Sequence, residues 1–243
     1  MPDFQPNPLI VLGSSSAEVF DYIFGDTPLY HPMWASGWSA RGMADSADFL
    51  TAIMDPLPRE ATVLLAFGMT DIQFNLPWRV RQSRFYDLAG HLAETAAAIT
   101  GMAAQLRQMG FAQVAAVFTS AAVALPPAYW RQRDLAVLPP ALLGQMVLDL
   151  AESLRQSGLE TRSILPQIIA SPDRPVLAPR FCRKAEDHHA SYIATQQLVW
   201  QAICDLPGMP PRRAEWLTRH YQHQPYSITS WKLSGVARPR TLR

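Results

Sequence analysis

The chain has 243 residues, 49% of them apolar, and a formal net charge of +1. It can therefore bury a full core and fits one α/β domain, or one domain with an appendage. So near-neutral a balance excludes a nucleic-acid surface spread over the whole molecule, because such surfaces carry a marked basic excess. The excess is confined to the end, where Gly208 to Arg243 carries +6 while everything before it carries −5. The expected organisation is an α/β domain over 1–207 followed by a basic, aromatic extension over 208–243. Trp216, Tyr221 and Trp231 lie in that extension. It is expected to pack on its own domain, and it is also a candidate surface for self-association or for meeting an anionic polysaccharide or membrane surface.

The first segment, MPDFQPNPLIVLG, has no basic n-region, and no stretch approaches the roughly 20 apolar residues of a membrane helix. The expectation is a cytoplasmic protein without a transmembrane segment. Leu9 to Gly13 then reads as a short strand that ends in a Ser-rich turn and feeds a helix over Ala17 to Ile23. The region from Asp26 to Met43 holds at most one short strand, near Leu29 to Trp34, and then a Gly-rich loop. Ala61 to Phe67 is continuously apolar, as a parallel strand covered on both faces tends to be, and GMTDIQFN after it reads as a loop. Arg84 to Met109 is a helix stopped by Gly110, and Ala112 to Phe118 is the next strand. Pro139 to Ser157 is a helix with Gly158 beyond its end. Thr161 to Ile169 reads as an edge strand because of Pro166. His189 to Asp205 is the last helix, broken by PGMPP. Cys182 and Cys204 are far apart and outside any CxxC pattern, so buried free thiols are expected, with no disulfide framework and no zinc cluster.

Regular alternation of strand and helix implies a three-layer α/β/α sandwich on a mainly parallel, flavodoxin-like sheet of order 2-1-3-4-5. Ligands bind such sheets beyond the carboxyl ends of the strands, so residues just after strands carry the functional argument. Gly13-Ser14-Ser15-Ser16 follows the first strand, where a serine either caps the helix or offers a hydroxyl to a ligand. In the loop Ala35 to Gly42, two glycines let backbone N–H groups approach closely. Thr70 and Asp71, after the Ala61 to Phe67 strand, either face the cleft or cap a helix. Glu186-Asp187-His188-His189-Ala190-Ser191 places an acid three residues before a histidine. Serine chemistry needs a base for the hydroxyl proton and a carboxylate to fix the imidazole tautomer. The acid-x-x-His spacing supplies both from one loop. A metal would need further ligands at recognisable spacing, and none is seen.

These four blocks, in this order, resemble the SGNH (GDSL-like) hydrolase superfamily over about residues 9 to 205. The resemblance places the family's G-D-S motif on Gly13-Ser14-Ser15, making Ser15 the nucleophile, with Ser14 where the family has aspartate. Its glycine block falls on Gly37-Trp38-Ser39-Ala40-Arg41-Gly42. Gly37 is the first choice for the oxyanion N–H, with Ala40 and Gly42 as alternatives, and Ser39 is a substrate-side candidate. The G-x-N-D block falls on Gly68-Met69-Thr70-Asp71, with Thr70 in place of the asparagine that normally donates to the oxyanion. FGMTDIQFNLPW also resembles the FGE-x-D segment of SGNH-like proteins found with polysaccharide biosynthesis, which likewise lack that asparagine. The D-x-x-H block makes His189 the base and Glu186 its acid. A register using Asp187 or His188 loses the x-x spacing.

The resemblance implies a serine-dependent esterase or acyltransferase for an O-acylated carbohydrate or other small ester, with no cofactor. Two alternatives stand beside it: a degenerate member of the same fold that holds a sugar or phosphate without turnover, and, more remotely, a flavin binder, since Ser-rich loops after a first strand also cradle phosphate.

Overall fold

The computed structural model describes residues 6–25, 27–83 and 87–220. Five strands form one all-parallel sheet in the order β2-β1-β3-β4-β5. They are β1 (Leu9–Gly13), β2 (Tyr30–Trp34), β3 (Thr62–Ala66), β4 (Gln113–Phe118) and β5 (Thr161–Ser163). Every residue of β1 and β3 is buried, which is why both read as unbroken apolar runs rather than as alternating ones. Helices α1 (Val19–Phe24) and α9 (Tyr192–Ile203) pack together on one side, while α5 (Leu88–Gln108) packs with both α2 (Ala40–Ala44) and α7 (Pro140–Gln156) on the other. The expected three-layer sandwich and strand order are those observed.

The long helices obey their end signals. Asp87 accepts a hydrogen bond from Gly90 N–H at the start of α5, and Gly110 leaves it at φ +99. Proline in the first turn opens α7, and Gly158 at φ +79 closes it. The expected helix from Arg84 begins instead at Leu88, and residues 84–86 lie outside the described residues.

Three expectations need correction. Thr161 to Ile169 is not one strand: β5 stops at Ser163, and the short helical turn α8 (Leu165–Ile168) takes over, with Pro166 in its first turn. A proline there has no N–H for the ladder and a φ already suited to a helix start. The chain then makes an antiparallel hairpin, β6 (Ile169–Ser171) with β7 (Arg174–Leu177). It sits tightly on α7, where a Cβ on Gly144 would lie 2.0 Å from the Pro175 carbonyl oxygen. Second, GMTDIQFN is not a loop. It enters a π-helical turn, Asp71–Asn75, that runs directly into α4 (Leu76–Gln82). Third, the region expected to be a Gly-rich loop contains α2, and α3 (Ala47–Met54) comes after it. The short α6 (Pro127–Arg131), after β4, is a further element without a counterpart in the expected order.

Residues 208–220 are bonded to the domain. Gly208 accepts from Asn7 N–H, Arg213 N–H donates to the Ile23 carbonyl, and Gln196 exchanges two hydrogen bonds with the backbone of Leu217. Trp216 lies against the core beneath the Arg212 guanidinium. Tyr221, Trp231 and the rest of the extension lie outside the described residues. No described helix is long and apolar enough to cross a membrane.

Candidate active site

Gly13 ends β1 at a point of close approach, since a Cβ there would lie 2.5 Å from the Ala66 carbonyl oxygen. Ser14 N–H donates to that same oxygen, and Ser15 opens a single 3-10 turn, Ser15–Glu18. Three elements hold the backbone on either side of Ser15. The Tyr192 hydroxyl of α9 donates to the Ser15 carbonyl at 2.9 Å, and Thr119, just past β4, donates to the Ser16 carbonyl at 3.1 Å. The Ser14 and Ser16 hydroxyls lie 3.2 Å apart. Ser15 itself is 8% exposed.

His189 comes from the loop that precedes α9. A bridge between Cys182 and Ala190 fixes the loop, and Ser191 caps the helix by accepting from Ala194 N–H. His189 Nε2 lies 2.9 Å from Ser15 Oγ. Its Nδ1 lies 2.8 Å from Asp187 Oδ1, which also accepts from His189 N–H at 3.0 Å. An ionised carboxylate only accepts, so Nδ1 carries the hydrogen and Nε2 is left to accept the Ser15 proton.

The carboxylate bonded to this imidazole is therefore that of Asp187 and not that of Glu186, which is exposed. The reason is local. An aspartate folds back readily to bond the backbone two residues on, and that turn carries the carboxylate to the imidazole. Burial pushes the Asp187 carboxyl up, but hydrogen bonds from the His189 ring and backbone, with the charges of His189 and Arg183, outweigh it and hold the group well below the usual carboxylate range.

Ser15, Thr70, Gln73, Phe74, His188 and His189 line a narrow cleft of about 20 Å³ beyond the ends of β1, β3 and β4, with Ser120 also in its wall. Burial, and then the electrostatic influence of the adjacent His189 ring, lowers the His188 pKa to about 3, so His188 is a neutral imidazole at pH 7. Its Nδ1 lies 3.0 Å from the Tyr129 hydroxyl, and its ring sits 3.9 Å from that of His189. Asp187, His188 and His189 could in principle gather round a cation, since their ligand atoms lie within 4.8 Å of one another. Both His189 nitrogens and Nδ1 of His188 are already engaged within the protein.

The other candidates divide. Thr70 lines the cleft. Asp71 does not: its buried carboxylate accepts from Ala40 N–H at 2.8 Å and Arg41 N–H at 3.2 Å, capping α2. Burial raises its pKa against the pull of those N–H groups. Behind it, the Asp71 carbonyl accepts from His91 Nε2, and His91 Nδ1 accepts from Arg41 at 2.9 Å. Burial lowers the His91 pKa, in keeping with a neutral ring that accepts from a guanidinium. Gly37 and Ser39 line a different hollow, with Trp38, Met43 and Phe49. Gly37 stands at φ +80, and Ser39 accepts from Gly42 N–H. None of Gly37, Ala40 and Gly42 lines the cleft beside Ser15. A larger hollow of about 420 Å³ lies between Val123, Leu177, Pro179 and Cys182, with Arg174 and Lys184 in its wall. It contains none of the relay.

Sequence reasoning missed Gln73, Phe74, Tyr129 and Tyr192. The first two follow Thr70 at i+3 and i+4, so reading the segment as helix instead of loop would have placed all three on one face.

Fold and site together define a parallel α/β protein with a serine, a histidine and an aspartate hydrogen-bonded in series at the carboxyl rim of its sheet. No family model matches the sequence, and no curated protein matches it. Among solved structures the chain is similar to a GDSL-like lipase from Bacteroides thetaiotaomicron, with 15% identity and a TM-score of 0.52, over 81% of this chain and 87% of that one. It is also similar to a candidate acylhydrolase from Bacteroides fragilis, with 13% identity and a TM-score of 0.50, over 81% and 88%. At these identities the likeness is one of fold.

Proposed function

We propose that the protein is a serine-dependent esterase or acyltransferase. The observation that carries this reading is the continuous chain from Ser15 Oγ through His189 to Asp187, at 2.9 and 2.8 Å. Those separations are within the reach that general base catalysis requires. Ser15 Oγ attacks the acyl carbon as its proton passes to His189 Nε2, and the carbonyl π pair moves onto oxygen. When the tetrahedral adduct collapses, the same proton leaves on the alcohol and an acyl-Ser15 remains. Water or a second alcohol then repeats the sequence, returning the Ser15 proton and releasing acid or a new ester. Asp187 holds the imidazole in the tautomer this needs and stabilises the imidazolium that forms.

An O-acylated carbohydrate as the ester rests on the resemblance of FGMTDIQFNLPW to the segment found in polysaccharide-associated proteins. The GDSL-like lipase and acylhydrolase that share the fold support ester chemistry in general. A second reading, a binding protein without turnover, draws on Thr70 standing where the resemblance expects asparagine. Treatment with a fluorophosphonate separates the two: the wild-type chain is expected to label, and Ser15→Ala is not. A wild-type protein that never labels and never cleaves 4-nitrophenyl acetate would overturn the hydrolase reading in favour of the binding one.

A further inference from the structure

The wall of the cleft beside Ser15 contains a polar group that the protein leaves unmatched. Gln73 is 1% exposed, and its amide nitrogen has no hydrogen-bond partner among the described residues. Buried donors are almost always paired, and an exception in a native structure calls for an explanation. Desolvating a carboxamide without a bond in return destabilises the fold, so a purely structural position would favour an apolar side chain of the same size.

Its location supplies an explanation. Gln73 lines the same cleft as Ser15 and His189 and sits in the middle of the π-helical turn Asp71–Asn75. One extra residue in a turn swings the later side chains round the axis by about 100°, and such turns occur often at functional sites. Asp71 is fully occupied with α2, and Thr70, where the resemblance expects the side-chain donor, has only a short hydroxyl. The carboxamide of Gln73 can turn about its last bond, so its N–H can face the cleft.

We propose that Gln73 is the side-chain donor to the substrate carbonyl, taking the place that Thr70 leaves vacant. This rests on the hydrolase reading and deepens it. As Ser15 Oγ bonds to the acyl carbon, the oxygen that receives the π pair accepts the Gln73 amide hydrogen. The bond is worth most when that oxygen is negative, so it lowers the barrier more than it tightens ground-state binding.

The test measures fluorophosphonate labelling rate and thermal midpoint together, because the phosphonylated serine places an oxygen where the oxyanion would be. Gln73→Met removes the donor at similar volume. It is expected to label about 10²- to 10³-fold more slowly while melting at or above the wild-type temperature, since an unpaired buried amide has gone. Gln73→Leu, which likewise has no donor, is expected to lose labelling to a similar extent and covers the case of a Met variant that does not fold. Glu186→Gln is the control expected to label like wild type. Two results would overturn the proposal: wild-type labelling in a folded Gln73→Met, whether or not Thr70→Val slows it, or parallel losses of midpoint and rate as a structural role would give. A wild-type chain that does not label at all is a different failure, because it removes the hydrolase reading itself and this proposal with it.

Discussion

Asp187 Oδ1 accepts twice from one residue, from His189 N–H and from its Nδ1–H, so the carboxylate closes a small ring with the imidazole it orients. An asparagine at 187 can present its NH₂ to Nδ1 and favour the other tautomer, leaving Nε2 protonated and unable to take the Ser15 proton. Asp187→Asn is therefore expected to lower the fluorophosphonate labelling rate by about 10²- to 10⁴-fold with the fold intact, and Glu186→Gln to change it by less than about twofold. A loss that tracked Glu186 instead would return the acid to the three-residue spacing. That spacing points to Glu186 because it is the usual way for one loop to hold both acid and base. The two-residue return of Asp187 depends on a side-chain turn whose only signal in sequence is an aspartate, and chains contain many of those. Ser15 and His189 are legible for a better reason, since both stand just where a strand or loop hands over to a helix.

At the scale of the element, the carboxylate of Asp71 ties the end of β3 to the start of α2, a contact between residues 30 or more apart in the chain. Asp71→Ala leaves the Ala40 and Arg41 N–H groups without their acceptor and is expected to lower the unfolding free energy by about 1–3 kcal/mol. Asp71→Asn, with one acceptor oxygen and no buried charge, should fall between alanine and wild type. Urea unfolding at pH 7 ranks the three, and an alanine variant with an unchanged midpoint would show that α2 does not depend on this carboxylate. The same contact explains why α2 reads as loop in the sequence. Five residues, ARGMA, show too little periodicity to announce a helix, and beside the local Ser39 cap their first two N–H groups are satisfied by a carboxylate from elsewhere in the chain. β1 and β3 are legible because burial on both faces leaves an unbroken apolar run. β5 reads too long because apolar content continues through Pro166 while the ladder cannot.

For the whole molecule, the change in composition at Gly208 marks a boundary in charge and not in packing, because residues 208–220 are hydrogen-bonded to Asn7, Ile23 and Gln196. Charge also shapes how the fold as a whole responds to acid. His188 is held neutral by burial first, then by its electrostatic interaction with His189, with Arg133 and Arg183 acting the same way and Asp187 opposing, and its pKa falls to about 3. Between pH 6.5 and 3 the unfolded chain therefore binds a proton here that the folded chain refuses, and stability falls as the pH is lowered. The slope from this one group reaches about 1.4 kcal/mol per pH unit. His91, lowered by burial, adds in the same direction, whereas Asp71, raised by burial, works the opposite way above the ordinary carboxylate pKa. Asp187 contributes stability that is fully present above that ordinary pKa and is lost only as the pH falls below it. Comparing His188→Asn with wild type by urea unfolding from pH 7 to 4.5 isolates the His188 contribution, because His91 and Asp71 are common to both chains. The variant's free energy is expected to decline less steeply, by up to one proton's worth, and parallel curves would mean that His188 takes up its proton as readily in the folded chain as in the unfolded one.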